Sequence, residues 1–336
     1  MILQSIIHSG SNVMTLLTRR AAFGAAALLA APHLARAADT QLAIATGTTG
    51  GVYYPLGGGL ANILSRTIPG MSATVEVTGG SVANNQLLGA GRVGLIFSQV
   101  DASVDAVNGQ DRFRGRPVKV RAIAVIYTNR MQVVTTTATG IQSLADMKGK
   151  RISTGAPGSA TEVMAFRLIE AAGLDRDKDF RARERLSPAE STNAVKDGKI
   201  DAYFFVSGVP TSAVTDLAAS PGVTLRLIDH ADLVPKVTAK HGPVYFPEVI
   251  PSGTYPGQTA DNQQMSVANI LAVLDTMPDE QVTKILESTW NGRAELAQVH
   301  AEGRGFTLER QKTAAAGVPW HPAAEAFWKK QGATLA

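Results

Sequence analysis

A glycine-rich turn carrying hydroxyl and phenol groups is the first segment of the chain whose residue types could hold a ligand. It reads Gly-Thr-Thr-Gly-Gly-Val-Tyr-Tyr-Pro over residues 47–55 and follows a short apolar stretch. Glycines allow close backbone approach, and the first turn of a following helix presents free N–H groups to an anion. A tight turn without a ligand is the alternative. The candidate ligand-binding residues in this turn are Thr48, Thr49, Gly51 and Tyr53.

A second turn of similar composition lies in the other half of the chain. It reads Gly-Ala-Pro-Gly-Ser-Ala-Thr over residues 155–161 and precedes a predicted helix at 162–172. Ser159 and Thr161 could bind an anion at the start of that helix, or could simply cap it. Two such turns predict a cleft in which a small anion lies between two helix N-termini.

Four further residues are candidates for the same site. Ser81 follows two glycines at the start of a predicted helix, and Gln99 ends a predicted strand. Open α/β sheets bind ligands at the carboxyl ends of their strands, although Gln99 could equally be a simple strand-end residue. Phe205, in a predicted strand, would cover the carbon skeleton of the ligand together with Tyr53. Tyr255 lies in a proline-rich stretch and is the fourth.

The elements that would position these residues alternate between strands and helices. This alternation predicts an α/β fold with largely parallel sheets. Residues 243–257, which contain four prolines, are predicted to be a connection between lobes, and residues 265–274 have a mixed pattern. Predicted strands cover 42–46, 71–78, 93–98, 120–127, 131–137, 151–154, 199–206 and 223–228, and predicted helices cover 56–65, 81–89, 162–172, 278–297 and 323–331.

Composition excludes several classes of function. The 336 residues include no cysteine, which excludes disulfides, thiolate catalysis and cysteine-based metal sites. Beyond residue 38 only four histidines occur, and none forms a His-x-His or His-x-x-x-His pair. We therefore expect no catalytic activity, no cofactor and no metal site.

The first 37 residues are predicted to be a cleavable export signal. Arg19 and Arg20 precede an apolar run of 12 residues, and Ala-Arg-Ala at 35–37 provides a small-x-small cleavage pattern before Ala38. The paired arginines are compatible with twin-arginine export, and the general secretory route stays open. Without this segment the chain has 29 basic and 28 acidic residues, which does not favour binding to nucleic acid or insertion into a membrane.

Seven motifs together resemble one family of proteins, the TAXI class of solute-binding proteins of TRAP (tripartite ATP-independent periplasmic) transporters. The resemblance covers residues 40–334. In chain order the motifs are GGVYYP at 50–55, GGSVANN at 79–85, LADMKGKRI at 144–152, GAPGS at 155–159, DGKIDAYFF at 197–205, IPSGTYPGQ at 250–258 and PWHPAA at 319–324.

This resemblance implies a two-lobed periplasmic binding protein of type II, with a hinge and a closing cleft. Lobe I would comprise residues 38–128 and 255–336, lobe II residues 129–254, with hinge crossings near 128–131 and 250–258. The implied ligand is a small organic acid or amino acid such as glutamate, glutamine or a dicarboxylate. The implied partner is a TRAP integral-membrane subunit driven by an ion gradient. Ala160 stands where the family often has glycine, which leaves the usual ligand open.

Three other functions remain as alternatives. A binding protein of this fold could serve an ABC importer or a sensor kinase. An exported enzyme on the same scaffold and a structural or adhesive protein are the others. The small number of histidines and the absence of cysteine argue against the enzyme.

Overall fold

The computed structural model describes residues 40–336, so the predicted export signal at 1–37 lies outside the described residues. The described chain forms a single mixed sheet flanked by helices. No helix in this part of the protein is both long and apolar enough to cross a bilayer. The strands are β1 Thr40–Ala45, β2 Met71–Glu76, β3 Leu95–Gln99, β4 Val120–Thr136, β5 Arg151–Ser153, β6 Ala182–Glu184, β7 Ala202–Ser207, β8 Leu225–Leu227, β9 Tyr245–Ile250 and β10 Asn262–Leu274. The helices are α1 Tyr53–Thr67, α2 Ser81–Gly89, α3 Val100–Asn108, α4 Ala160–Ala171, α5 Pro188–Lys196, α6 Ser212–Ala218, α7 Val234–His241, α8 Asp279–Asn291, α9 Arg293–Val299, α10 Thr313–Ala316 and α11 Pro322–Lys330.

Two long antiparallel strands join two parallel halves of the sheet. The strand order is β2-β1-β3-β10-β4-β7-β5-β6, with β8 paired to β4 and β9 paired to β10. Strands β1, β2 and β3 are parallel to one another, as are β5, β6 and β7, whereas β4 and β10 run antiparallel to their neighbours. The prediction of an α/β fold is confirmed, and the prediction of largely parallel sheets is wrong at the centre.

Strand β4 is one strand of 17 residues and not the two predicted from the sequence. The polar residues Thr128, Asn129 and Arg130 suggested a break, but their backbone pairs in register with Ala268, Val267 and Ser266 of β10. Their side chains are accommodated at the centre of the sheet because they have polar partners there: Asn129 donates to Asn269, and Arg130 lies 2.7 Å from Glu302.

The stretch 243–257 is only partly a loop. Residues Tyr245–Ile250 form strand β9, which pairs with β10 along Asn262–Val267. Pro247 is compatible with this position because β9 lies outside the main strand order, with β10 as its partner. The residues with a mixed pattern, 265–274, belong to β10. The predicted helix 278–297 is divided into α8 and α9 at Gly292, which packs against Ile63 so closely that a Cβ atom would lie 2.9 Å from that side chain.

The core is held by aromatic side chains on one half of the sheet. Trp328 is fully buried, and its indole N–H donates to the carbonyl of Ile123 at 2.7 Å. Trp290 and Phe306 pack edge to face against it with ring centroids 5.4 and 5.8 Å away. This cluster attaches the C-terminal helix α11 to the first half of β4.

The buried His230 predicts a pH-dependent stability. Its ring is fully buried, with Nδ1 2.9 Å from the carbonyl oxygen of Ile228, and burial lowers its pKa from 6.5 to about 4. The folded pKa of His230 lies below the unfolded value, so protonation of His230 favours the unfolded state. The free energy of unfolding is therefore highest above pH 6.5 and falls as the pH is lowered towards 4. We expect the free energy of unfolding to drop by about 2 kcal/mol more in wild type than in His230→Gln between pH 8 and pH 5.

Urea unfolding of both proteins at each pH measures this difference. Buried Asp101 and Asp105 have raised pKa values, so their contribution to stability runs in the opposite direction with pH. Both carboxyls are present in both proteins, so the subtraction removes them. Equal pH dependence of the two proteins would contradict the prediction.

Candidate ligand-binding site

A cavity lies where the two halves of the sheet meet. Its walls come from the turn after β1, the start of α2, the end of β3, the loop before α4, the start of α5 and the end of β7. The lining residues are Gly47, Thr48, Gly51, Val52, Tyr53, Gly79, Gly80, Ser81, Gln99, Gly155, Ala156, Ser159, Ala160, Thr161, Pro188, Phe204, Phe205, Val206 and Ser207.

Eight of the ten candidate residues from the sequence lie in this lining. Thr49 lies in the same turn but is exposed and does not line the cavity. Tyr255 is also outside the lining: it is buried, and its hydroxyl accepts a hydrogen bond from the backbone of Thr211 and donates to Gln132. Its position in the fold indicates that it anchors the loop after β9. The structure brings together Thr48, Gly51, Tyr53, Ser81, Gln99, Ser159, Thr161 and Phe205; ligand binding by them stays a prediction.

Three helices begin at the wall of the cavity beside its glycine-containing turns, whereas α5, whose Pro188 also lines the cavity, has a capping box at its start. Helix α1 begins at Tyr53, α2 at Ser81 and α4 at Ala160, and each has at least nine residues. The first-turn N–H groups of a helix have no partner within the helix, and the helix dipole places partial positive charge there. No side chain caps α1 or α2, which both begin in the half of the sheet formed by β1, β2 and β3, whereas Ser159 caps α4 from the other half.

Three hydroxyl groups at the cavity have partners within the protein. Ser159 donates to the carbonyl of Ala156 and accepts from the backbone N–H of Glu162, so it caps α4, as the alternative interpretation proposed. Ser81 accepts from the backbone of Gln99, and Thr161 accepts from the backbone of Val206. These contacts fix the walls of the cavity, and because Ser81 and Thr161 accept in them, their O–H groups add to the backbone N–H groups as donors.

The Tyr53 ring is held in place by a polar network. Its hydroxyl donates to Asn269 on β10 and lies 3.5 Å from the Ser81 hydroxyl, while Asn129 on β4 donates to the same Asn269 oxygen at 2.9 Å. Burial raises the pKa of Tyr53 well above its usual value, so the phenol is neutral. The network connects the cavity directly to the two central strands.

Gln99 lines the cavity, and the Oε1 atom of its side chain has no hydrogen-bond partner within the described residues. The side chain is 3% exposed, and its Oε1 atom is buried without a hydrogen bond there. Ser207 at the end of β7 also lines the cavity and was missed by the sequence analysis. It could have been found because it is the polar residue directly after the apolar run Ala-Tyr-Phe-Phe-Val at 202–206.

The two walls of the cavity touch each other. The backbone N–H of Ala83 donates to the carbonyl of Gly158 at 2.9 Å, and the Ser212 hydroxyl donates to Gly50 at 3.3 Å. A Cβ atom on Gly79 would lie 2.3 Å from the Pro157 carbonyl oxygen. The structure is therefore that of a cleft with its walls in contact.

Charged side chains beside the cavity pair with one another. Arg167 on α4 lies 2.6 Å from Asp105 and 3.8 Å from Asp101 on α3, and Tyr245 donates to Asp101 at 2.9 Å. Burial raises the pKa of both carboxyls, that of Asp105 to about 6, while the guanidinium opposes this increase. Arg130 lies between Glu302 and Glu248, at 2.7 and 3.5 Å. None of these charges lines the cavity.

The described residues contain no group of three or more histidine, aspartate or glutamate side chains placed to hold a metal ion. Two histidines of the described residues, His300 and His321, form hydrogen bonds with backbone carbonyls. His321 caps α11 and contacts the carbonyl of Met277, and His300 contacts the carbonyl of Pro210 at 3.0 Å.

Solved structures of similar fold include two that are described as components of transport systems. A structure described as a periplasmic transporter has a TM-score of 0.52 and 15% identity, covering 86% of this chain and 92% of that chain. The binding-protein component of an ABC phosphonate transporter from Pseudomonas aeruginosa has a TM-score of 0.52 and 13% identity, covering 80% of each chain. A protein from Bordetella bronchiseptica RB50 has a TM-score of 0.50 and 17% identity, covering 88% of this chain and 83% of that chain.

These likenesses show the fold, and they confirm the predicted two-lobed architecture of the type II periplasmic binding proteins. The family follows from a separate comparison at the level of sequence. The model of the NMT1-like family matches residues 44–332, which is most of the described chain. The chain therefore belongs to the NMT1-like family.

Proposed function

We propose that this protein is a periplasmic solute-binding protein that closes two lobes over a small carboxylate. The observation that carries the proposal is the convergence of three helix N-termini, two from one half of the sheet and one from the other, on a single cavity. Export by the signal at residues 1–37, with the twin-arginine route as one possibility, is part of the same proposal.

Backbone N–H groups are the proposed ligands of the carboxylate. The lining contains no arginine, lysine or histidine, so a bound anion would depend on the first turns of α1, α2 and α4. A charge near such a terminus is stabilised by about 0.3–1 kcal/mol when exposed and by up to about 2 kcal/mol when partly buried. Three converging termini favour binding of a carboxylate in a cavity that has no basic side chain.

The sequence predicts lobes of residues 38–128 with 255–336, and of residues 129–254, and the strand pairing moves the second of these boundaries. The first hinge crossing lies in β4 at 128–131. The strand pairing favours a second crossing inside β10, near 266–268, in place of 250–258. The first half of β10 pairs with β9 along Asn262–Val267, and its second half pairs with β3 along Asn269–Ala272. Rotation about these two adjacent strands would open the cavity.

A single methyl group at Gly79 is expected to prevent closure. In Gly79→Ala the new Cβ would meet the backbone oxygen of Pro157 across the cavity at 2.3 Å, so the variant can fold with its lobes apart but cannot bring them together. We expect its affinity for the tightest-binding acid among glutamate, glutamine, 2-oxoglutarate, succinate and pyruvate to fall roughly tenfold or more, because closed-state contacts are lost. Isothermal titration calorimetry measures the affinity.

The matched control is Gly58→Ala on α1, where a Cβ would meet nothing within 4 Å. It should bind like the wild type. Equal affinity of the two variants would show that the structure does not describe a ligand-induced closed state. If no small carboxylate binds the wild type, the proposed function itself fails.

The proposed partner is a TRAP integral-membrane subunit driven by an ion gradient. The seven motifs that resemble the TAXI class support this partner. The second candidate partner is an ABC importer or a sensor kinase. The similarity to a component of an ABC phosphonate transporter supports the importer, and this similarity is one of fold only.

Transport in proteoliposomes separates the two partners. With its cognate membrane subunit, the loaded protein should support uptake that needs a sodium or proton gradient and no ATP. Collapse of the gradient by an ionophore should abolish uptake. Uptake that requires ATP and survives the ionophore would contradict the TRAP partner and support the ABC importer.

A non-catalytic function agrees with the chemistry of the cavity. Its lining has no histidine, aspartate, glutamate or lysine that could transfer a proton, and Tyr53 is a buried neutral phenol. An exported enzyme, the other alternative, would need such a group beside its substrate.

A further inference from the structure

Two carboxylates and one guanidinium meet where helices from the two proposed lobes pack together. Asp101 and Asp105 lie on α3, in the lobe that contains residues 38–128, and Arg167 lies on α4, in the other lobe. Arg167 is 2.6 Å from Asp105 and 3.8 Å from Asp101, and all three residues are buried. Separation of the lobes would therefore part the guanidinium from both carboxylates.

This cluster contains one negative charge more than it can pair. Tyr245 on β9 joins it from the same lobe as Arg167: its hydroxyl accepts from the guanidinium and donates to Asp101 at 2.9 Å. The phenol is neutral, because burial raises the pKa of Tyr245 well above its usual value. Among the described residues, no other basic side chain lies within ion-pairing distance of Asp101 or Asp105. Burial of an uncompensated charge is strongly unfavourable.

The charged groups around the cluster do not supply the missing positive charge. A groove borders Asp105 and Arg167, and His241 lines it with burial lowering the pKa of its ring, so the imidazole does not supply a charge near neutral pH. The other charged residues that line this groove are four acids and three bases: Asp111, Glu170, Asp175 and Asp177, and Arg114, Arg176 and Lys240.

A proton on Asp105 would remove the excess charge. Asp101 accepts from Tyr245 and from the backbone N–H of Ala102, whereas the carboxyl of Asp105 accepts from Arg167 and borders the groove. Burial raises the pKa of Asp105 to about 6, while Arg167 opposes this increase and the charge of Asp101 adds to it. Away from α4 the carboxyl would return to water and to its usual pKa of about 4.

We propose that closure of the lobes over the ligand takes up one proton from solvent, which binds a carboxylate oxygen of Asp105 opposite Arg167. This inference rests on the proposed function, because it requires that the lobes separate when no ligand is bound. Neither Asp101, Asp105 nor Arg167 lines the cavity. The proton therefore binds at a second site, and closure couples that site to the ligand.

Proton uptake can be counted on the wild-type protein with the tightest-binding acid of the panel above. Calorimetry in two buffers of different ionisation enthalpy gives the number of protons taken up per ligand. With a pKa of about 6 in the closed state and about 4 in the open state, we expect about half a proton at pH 6 and almost none at pH 8. Because closure raises the pKa, affinity should be about tenfold higher at pH 5 than at pH 8.

Asp105→Asn tests the site of the proton. The amide is neutral at every pH and still offers an oxygen to Arg167, so the variant should bind the acid more tightly than wild type at pH 8 and should lose the uptake at pH 6. A structural ion pair without proton uptake predicts weaker binding by this variant. The ligand and His241 titrate with both proteins, so the difference between them isolates Asp105.

The matched control is Asp111→Asn, which removes an exposed negative charge beside the same groove. It should keep both the proton uptake at pH 6 and the increase in affinity at low pH. Loss of the uptake in this control as well would show that the overall charge of the groove, and not Asp105, is responsible.

The outcomes separate this inference from the proposed function. Binding of an acid without proton uptake at pH 6 overturns the inference and leaves the proposed function intact. Uptake that persists in Asp105→Asn overturns the assignment of the proton to that carboxyl. The absence of binding by every acid overturns both proposals. If Asp105→Asn does not fold, the count on the wild-type protein still decides whether closure takes up a proton.

Discussion

Backbone N–H groups in the first turn of a helix need partners, and in this protein three helices begin at the same cavity. Helices α1 and α2 begin in one half of the sheet and α4 begins in the other, and no side chain caps the first two. Ala83 in the first turn of α2 already donates to Gly158, and Glu162 in the first turn of α4 donates to Ser159, so the other first-turn groups are the ones available to an acceptor from outside the chain. The proposed binding of a carboxylate follows from this constraint, since no basic side chain lines the cavity.

The antiparallel strands β4 and β10 are the part of the fold that would link ligand binding to movement of the two halves of the sheet. Both strands run through both halves of the sheet, so any movement of one half relative to the other must pass through them. Asn129 and Asn269, which lie on these strands, hold the Tyr53 hydroxyl at the cavity. The proposed hinge and the proposed site therefore share hydrogen bonds, which would couple closure to binding.

Local features of the fold were predictable from the sequence, and long-range ones were not. The glycine-rich turns and the helices that follow them depend on neighbouring residues, and both appear where they were predicted. The direction of β4 depends on pairing with β10, about 140 residues further along the chain, which no local pattern reveals. Helix α5 was missed although Ser187 and Glu190 form a capping box with Pro188 at the first position, a signal that was present in the sequence.

The same distinction applies to the candidate site. Residues on the two turns, such as Gly51 and Thr161, line the cavity because the turns position them directly. Tyr255 does not, because its loop folds back against Gln132 and Thr211, and this contact depends on the pairing of β9 with β10. The partnerless acceptor of Gln99 could not be recognised from sequence, because hydrogen bonding depends on the surroundings in three dimensions.

Closure of the two halves over an acid is the central claim, and a distance across the cavity tests it most directly. The chain has no cysteine, so cysteines introduced at the exposed positions Asn62 on α1 and Asn193 on α5 can be labelled specifically with nitroxide spin labels. Pulsed electron paramagnetic resonance then measures the distribution of distances between them. The account predicts a broad distribution without ligand that becomes shorter and narrower when the tightest-binding acid is added. An unchanged distribution at saturating acid would contradict it.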